Sequence, residues 1–284
     1  IPMLGLMTLR SFIIFHDCGH NSYSPNKKLN YLLGSILGIF VLTPYCWSYD
    51  HTNHHLTSGK IDNDINHLQN ETVKFTLNEY KRFTNFQKFL FKCWRNPIFF
   101  HLVIPFVVFV IIYRYDVLLD KIRNNPYKQS ISLILFDMVI NNVGIYFLLF
   151  NLYNYDILYH FLSGLSILFI ISVILFHNQH TFNTPYVVTH KEWNKKQSGL
   201  DGSSFIQIPW YLKYFTAGIE YHHIHHMNAS VPGYKIHKFH EELSTTNELD
   251  DINILTINDC YHNLWYVLYD EENNKYITFD ECNN

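Results

Sequence analysis

Histidine is the residue that could do chemistry in this chain. There are 18 His beside 21 Lys and Arg in 284 residues, and eleven of them fall in four short clusters. His16 and His20 are spaced i, i+4. His51, His54 and His55 are spaced i, i+3, i+4. His177 and His180 lie three apart, and His222, His223, His225 and His226 repeat the i, i+3, i+4 pattern. On a helix at ~100° per residue, i and i+4 differ by ~40°, and i, i+3, i+4 stay within an arc of ~100°. Each cluster therefore aims its imidazoles at one side. Adjacent rings such as His54 and His55 diverge, which suits two neighbouring ions better than one. Imidazole suits iron, zinc, copper and nickel. More histidines than a single four- to six-coordinate ion can use imply two ions. Long ordinary sequence separates the clusters, which excludes a His-rich tract. His67, His101, His160, His190, His237, His240 and His262 stand alone and read as structural.

The elements that must position these clusters are apolar. Hydrophobic residues make up 48% and charged residues 16%, against about 25% charged in soluble domains. Aromatics reach 17%, which suits a membrane boundary. Mean hydropathy is −0.06, too low for a chain wholly in lipid. The expected fold is an all-α integral membrane protein, with spanning and interfacial helices and a polar cap over the histidines. A net charge of −3 and a pI near 6.7 give no basic field for nucleic acid. Cys18, Cys46, Cys93, Cys260 and Cys282 are scattered without a CxxC pair, so they read as free thiols rather than a disulfide framework or zinc site.

Apolar runs cover residues 1–15, 29–47, 98–113, 131–150 and 157–176, with a weaker one at 205–219. The chain is read as one domain over 1–284, with a polar C-terminal tail at 252–284. Ile1 opens in the middle of an apolar stretch, so an upstream helix is expected to be missing. From Glu71 to Asn96, basic residues including Lys74, Lys81, Lys88 and Lys92 interleave with aromatics. That pattern suits the headgroup plane on the cytoplasmic side. If the clusters form one site, they must share a membrane face. The 29–47 run is therefore expected to dip and return, or to lie along the interface, with Gly34, Gly38 and Pro44 favouring a bend. One of the three runs between His55 and His177 must also fail to cross. The run 131–150, which carries Asp137, Asn141 and Asn142, is the expected one.

HDCGH at 16–20, HTNHH at 51–55 and HHIHH at 222–226 resemble the three histidine boxes of the membrane fatty acid desaturases. HDCGH, Thr43-Pro44-Tyr45 before the second box, and Glu220-Tyr221 before the third look most like the acyl-lipid Δ12/omega-6 type. Gln179-His180 with Phe182, and Gly202-Ser203-Ser204 with Pro209, resemble further segments of that branch. The resemblance implies a di-iron centre on the cytoplasmic side of a multi-pass protein. The membrane would be the endoplasmic reticulum, another internal membrane or a bacterial inner membrane. O2 would be the co-substrate, and a cis double bond would form in a lipid-linked or thioester acyl chain. Carried over by position, the metal ligands would be His16, His20, His51, His54, His55, His180, His222, His225 and His226. His177 could be an extra ligand or a packed polar residue. His223 belongs to its motif without being expected to ligate. Asp17 and Glu220 could orient imidazoles through their free N–H groups.

An unactivated methylene offers no handle to an acid, base or nucleophile, so an oxygen-activating metal fits the task. The chain has no dinucleotide fingerprint and no cysteine cluster for iron–sulfur. The resemblance therefore implies a separate cytochrome b5 or ferredoxin, with basic residues between Lys74 and Arg95 as a candidate docking face. Hydroxylases, acetylenases and epoxygenases share these boxes. A histidine-rich metal transporter is the reading from a different class; it would want ligands near mid-membrane, where only Asp137 and His160 qualify.

Overall fold

The computed structural model describes residues 1–61, 75–124 and 126–283. Glu71, Lys74 and His67 lie outside the described residues. In chain order the first helices are α1 (Pro2–Gly19), α2 (Lys27–Phe40), α3 (Trp47–Thr57), α4 (Leu77–Arg82) and α5 (Asn85–Trp94). Then come α6 (Pro97–Leu102), α7 (Ile104–Val107), α8 (Tyr113–Arg123), α9 (Ile131–Asn154) and α10 (Leu158–His180). The remainder holds α11 (Lys195–Leu200), α12 (Lys213–Thr216), α13 (His222–Met227), α14 (Gly233–Leu243) and α15 (Ile257–Asn263). Among them lie short strands β1 (Ser204–Ile206), β2 (Asn253–Leu255), β3 (Leu268–Asp270) and β4 (Lys275–Ile277). The fold is mainly helical, with β1–β2 parallel and β3–β4 antiparallel.

Helices α9 and α10 have 24 and 23 residues, and their most apolar windows have mean hydropathies of 2.0 and 2.2. At 1.5 Å per residue they reach about 36 and 34 Å, enough for a hydrocarbon layer of ~30 Å. Only residues 155–157 join them, so the start of α9 and the end of α10 lie at one end of the hairpin. Helix α1 runs alongside α10 in the same direction. A Cβ on Gly5 would sit 2.6 Å from Ile167, and one on Gly164 would sit 2.8 Å from Leu4. That close approach carries His16 and His20 to the same end as His180.

The 29–47 run breaks after α2, which Asn26 caps by accepting from Lys28 N and Leu29 N. Thr43 N donates to Gly38 O at 2.8 Å, and a Cβ on Gly38 would lie 2.4 Å from Thr43 O. Only glycine fits there. Tyr45 then packs back against Tyr31, 4.9 Å between ring centroids, and its hydroxyl donates to Cys18 O at 3.0 Å. The chain has doubled back, which delivers α3 beside the end of α1.

Two neighbouring helices clamp the tip of this re-entrant hairpin. Arg114 of α8 donates to Leu42 O at 2.8 Å and to the Asn142 side chain. Asn141 of α9 donates to Thr43 O at 3.2 Å, and Tyr31 donates to Asp137 at 2.5 Å. The run 131–150, expected to be the one that fails to cross, is an unbroken helix long enough to do so. Its polar residues meet protein partners instead of lipid, so the helix continues unbroken. The interrupted run is 98–113, which divides into α6, α7 and a π-helical turn at Val108–Ile112 around Pro105. Replacing Arg114 with Met strands the buried Leu42 carbonyl. The expected cost is about 1–3 kcal/mol, read as a lower unfolding temperature in detergent.

Residues 252–283, within the segment read as a polar tail, carry β2, α15, β3 and β4. β2 pairs with β1. Val267, Leu268 and Ile277 are buried with Tyr80 of α4 and Phe91 of α5. The main core lies between α1, α3 and α10, around Phe12, Phe15, Trp47, Phe109, Leu168 and Phe169.

Candidate metal centre

Four elements bring imidazoles to one end of the α9–α10 hairpin. Helix α1 supplies His16 from its last turn and His20 from its C-cap, and α3 supplies His51, His54 and His55. Helix α10 ends on His180, and α13 supplies His222, His225 and His226. Their ring nitrogens form two groups, each within 4.8 Å throughout. One is His16, His20, His51, His55 and His225; the other is His54, His180, His222 and His226. The i, i+4 pair His51 and His55 enters one group, while His54 turns to the other, as the divergence of adjacent rings requires.

Several ring nitrogens each face two others, more than a single N–H or lone pair can serve. His51 Nε2 lies 2.9 Å from His16 Nε2 and 3.3 Å from His55 Nε2, and His55 Nε2 lies 3.0 Å from His225 Nε2. His180 Nε2 lies 3.2 Å from His54 Nε2 and 3.0 Å from His222 Nε2. His20 Nε2 and His226 Nε2 are buried with no hydrogen-bond partner. A cation inside each group would engage every ring, so the donors fit a pair of metal ions. Burial foremost, then the neighbouring imidazoles, hold His51, His54, His55, His222, His225 and His226 well below the usual imidazole range. They are neutral near pH 7, the form that ligates.

An apolar cavity opens beside the two groups. His16, His51 and His222 line one end, and Leu9, Phe12, Ser172 and Phe176 line its walls. Ser172 precedes His180 by eight residues, about 12 Å along α10, and Leu9 precedes His16 by about 10 Å. The cavity thus leads from the histidines back along α1 and α10.

The sequence profile of the fatty acid desaturase family matches residues 1–258. A fatty acid desaturase of Bacillus subtilis (strain 168) is 32% identical over 282 residues, covering 97% of this chain and 75% of that protein. The chain belongs to the fatty acid desaturase family. It is therefore an oxidoreductase of lipid metabolism, in a family associated with membranes. Shorter matches reach acyl-lipid desaturases. The chloroplastic sn-2 acyl-lipid omega-3 desaturase (ferredoxin) of Arabidopsis thaliana is 38% identical over 84 residues, 29% of this chain and 19% of that one. The sn-1 acyl-lipid omega-3 desaturase (ferredoxin) of Nostoc sp. (strain 36) is 44% identical over 63 residues, 22% of this chain and 18% of that one.

In this desaturase-family chain, all nine histidines carried over from the three boxes and the QHxF segment enter the two groups. The other candidates go elsewhere. His177 turns to the C-terminal segment, its Nε2 2.8 Å from Asn263 O and its ring 4.7 Å from that of His101. It is a packed polar residue. His223 turns outward to His240, 3.1 Å between nitrogens. Glu220 bonds to Thr216 rather than to an imidazole. Asp17 lies 3.4 Å from His16 Nδ1 and accepts from Gly233 N at 2.7 Å. It draws the first box toward the start of α14. Asp17→Asn is expected to lower iron occupancy about tenfold, read as metal bound per protein across an iron titration.

Sequence reasoning did not foresee two of the groups that orient the rings. Gly202 O lies 3.0 Å from His180 Nδ1; it accepts that N–H and leaves the Nε2 lone pair facing the group. Trp47 stacks on His51 at 4.6 Å and 15°. The i, i+4 spacing of Trp47 and His51 was the available signal. A backbone carbonyl leaves none.

Proposed function

We propose that this chain is an O2-dependent fatty acyl desaturase, folded as one domain over 1–284. Each histidine group would hold one iron ion, and the ligands would be the nine residues named above. The observation that carries this reading is the convergence of nine imidazoles beside a narrow apolar cavity. Helices α9 and α10 would cross the membrane and return the chain to one face, taken here as cytoplasmic.

The reaction removes two hydrogens from adjacent methylenes. Acyl –CH2–CH2–, O2, two electrons and two protons give –CH=CH– and two waters. Bound iron would supply the activation of O2. The chain's own residues do the rest. The Gly202 carbonyl fixes the His180 ring, Asp17 anchors the first box, and Trp47 closes over His51. Leu9, Phe12 and Phe176 hold the acyl chain and keep water out. The two electrons come from a separate carrier, a ferredoxin or cytochrome b5. Two acyl-lipid relatives carry ferredoxin in their names. The HDCGH form favours an acyl-lipid substrate of the Δ12/omega-6 type.

The test is expression of the protein in yeast, with gas chromatography of total fatty acids. A new dienoic acid fixes both the reaction and the position of the bond. A hydroxy acid moves the assignment to the hydroxylase branch, and an unchanged profile alongside full iron loading overturns the reading.

A further inference from the structure

Among the described residues, one face of helix α5 has no protein partner. At ~100° per residue, Phe86, Phe89, Leu90, Cys93 and Trp94 share an arc of ~140°. Phe86 is 69% exposed and Phe89 62%. The opposite side is occupied, because Phe91 is buried against Tyr80, Leu268 and Ile277. Two capping boxes, Thr76 with Glu79 and Thr84 with Gln87, fix the starts of α4 and α5. The orientation of this face is therefore built into the fold.

Lys92 lies ~60° beyond Phe89 at the edge of the apolar arc, and Lys88 lies a further ~40° round the helix. Lys88 and Lys92 lie one turn apart on α5, and Lys81 faces them from α4. All three line a cleft of about 430 Å³ with Tyr80, Asn85 and Phe89. Among the described residues none of the three lysines forms an ion pair. Three ammonium groups beside exposed aromatics match an anionic headgroup whose acyl chains lie along the arc.

The level of α5 in the molecule agrees. Only Arg95 and Asn96 separate it from α6. On α6, the His101 ring lies 4.7 Å from that of His177, one turn before His180. The α5–α6 junction therefore sits at the histidine end of α10. The apolar surface is also continuous: Leu90, Trp94 and Phe99 line one shallow hollow, and Ile98 beyond it is 63% exposed.

We propose that α4 and α5 form an anionic-phospholipid site in the headgroup plane, with Lys81, Lys88 and Lys92 on the phosphate and the Phe86–Trp94 face in the acyl layer. This rests on α9 and α10 being membrane spans and is independent of the oxidation chemistry. An acidic electron carrier docked on the same lysines is the competing occupant, and the test separates the two.

The full chain is reconstituted in nanodiscs containing equal phosphatidylglycerol and phosphatidylcholine. Lipid retained after release is counted by native mass spectrometry. Wild type is expected to retain phosphatidylglycerol preferentially. The triple variant Lys81→Gln, Lys88→Gln, Lys92→Gln is expected to lose roughly tenfold in that preference. Equal retention of both lipids by wild type overturns the headgroup site, as does an unchanged preference in the variant. A second arm spin-labels Cys93, which is exposed on the arc, with Cys260 and Cys282 replaced by Ser. Collisions with O2 exceeding those with a water-soluble nickel chelate support burial in the acyl layer. The reverse order overturns the proposal and leaves the face open to a soluble protein. Neither readout requires turnover.

Discussion

His54→Ala is expected to abolish double-bond formation, lowering product by more than about 100-fold, with matching loss of iron. His54 belongs to the four-membered group with His180, His222 and His226, so its removal leaves three donors. Loss of an outer contact to a metal ligand already costs 10–100-fold in affinity, and loss of the ligand itself costs more. Membrane insertion should survive, because His54 is half-buried and lies outside the main core. The control is His223→Ala. His223 is equally part of the third box but bonds to His240, so it should retain iron. Iron per protein and gas chromatography of products are measured together. Full iron and product in His54→Ala removes that residue from the ligand set. If His223→Ala loses iron as completely, the division between the two histidine roles is wrong.

Ser172→Trp is expected to do the opposite: iron stays and product disappears. Ser172 lines the apolar cavity about 12 Å below His180 along α10. An indole there fills the space a long acyl chain needs without touching an imidazole. Activity on long chains should fall at least about tenfold, because overfilling a packed site costs ~1–3 kcal/mol. Shorter chains should be less affected. Unchanged chain-length preference with full iron would mean the acyl chain lies elsewhere. The two variants together separate the histidine groups from the cavity.

The histidine groups were legible because helical spacing turns sequence separation into direction. His16 with His20, and His51 with His55, are one turn apart and share a group, and no tertiary information was needed to see that. The destination of His177 and His223 was not legible. Each lies within a histidine cluster, yet Asn263 and His240, distant in sequence, draw their rings away. The membrane runs were misjudged for a related reason. Asp137, Asn141 and Asn142 count as polar in any window, but each meets a protein partner, in Tyr31, Thr43 and Arg114 respectively. Polarity weakens a span only where lipid is the neighbour. The run 98–113 looked cleaner and is the interrupted one. Gly34, Gly38 and Pro44 did mark the bend at 41–46, since a glycine without room for a Cβ is a local constraint.

Helices α3 and α13 each contribute to both histidine groups: His51 and His55 to one with His54 to the other, and His225 to one with His222 and His226 to the other. On the di-iron reading, the first ion to arrive freezes two of the helices that the second ion needs. Loading is then cooperative, and partly filled protein is scarce at any iron supply. Since the last donors are His225 in one group and His226 in the other, neither ion can be held securely until the chain has been synthesised through α13.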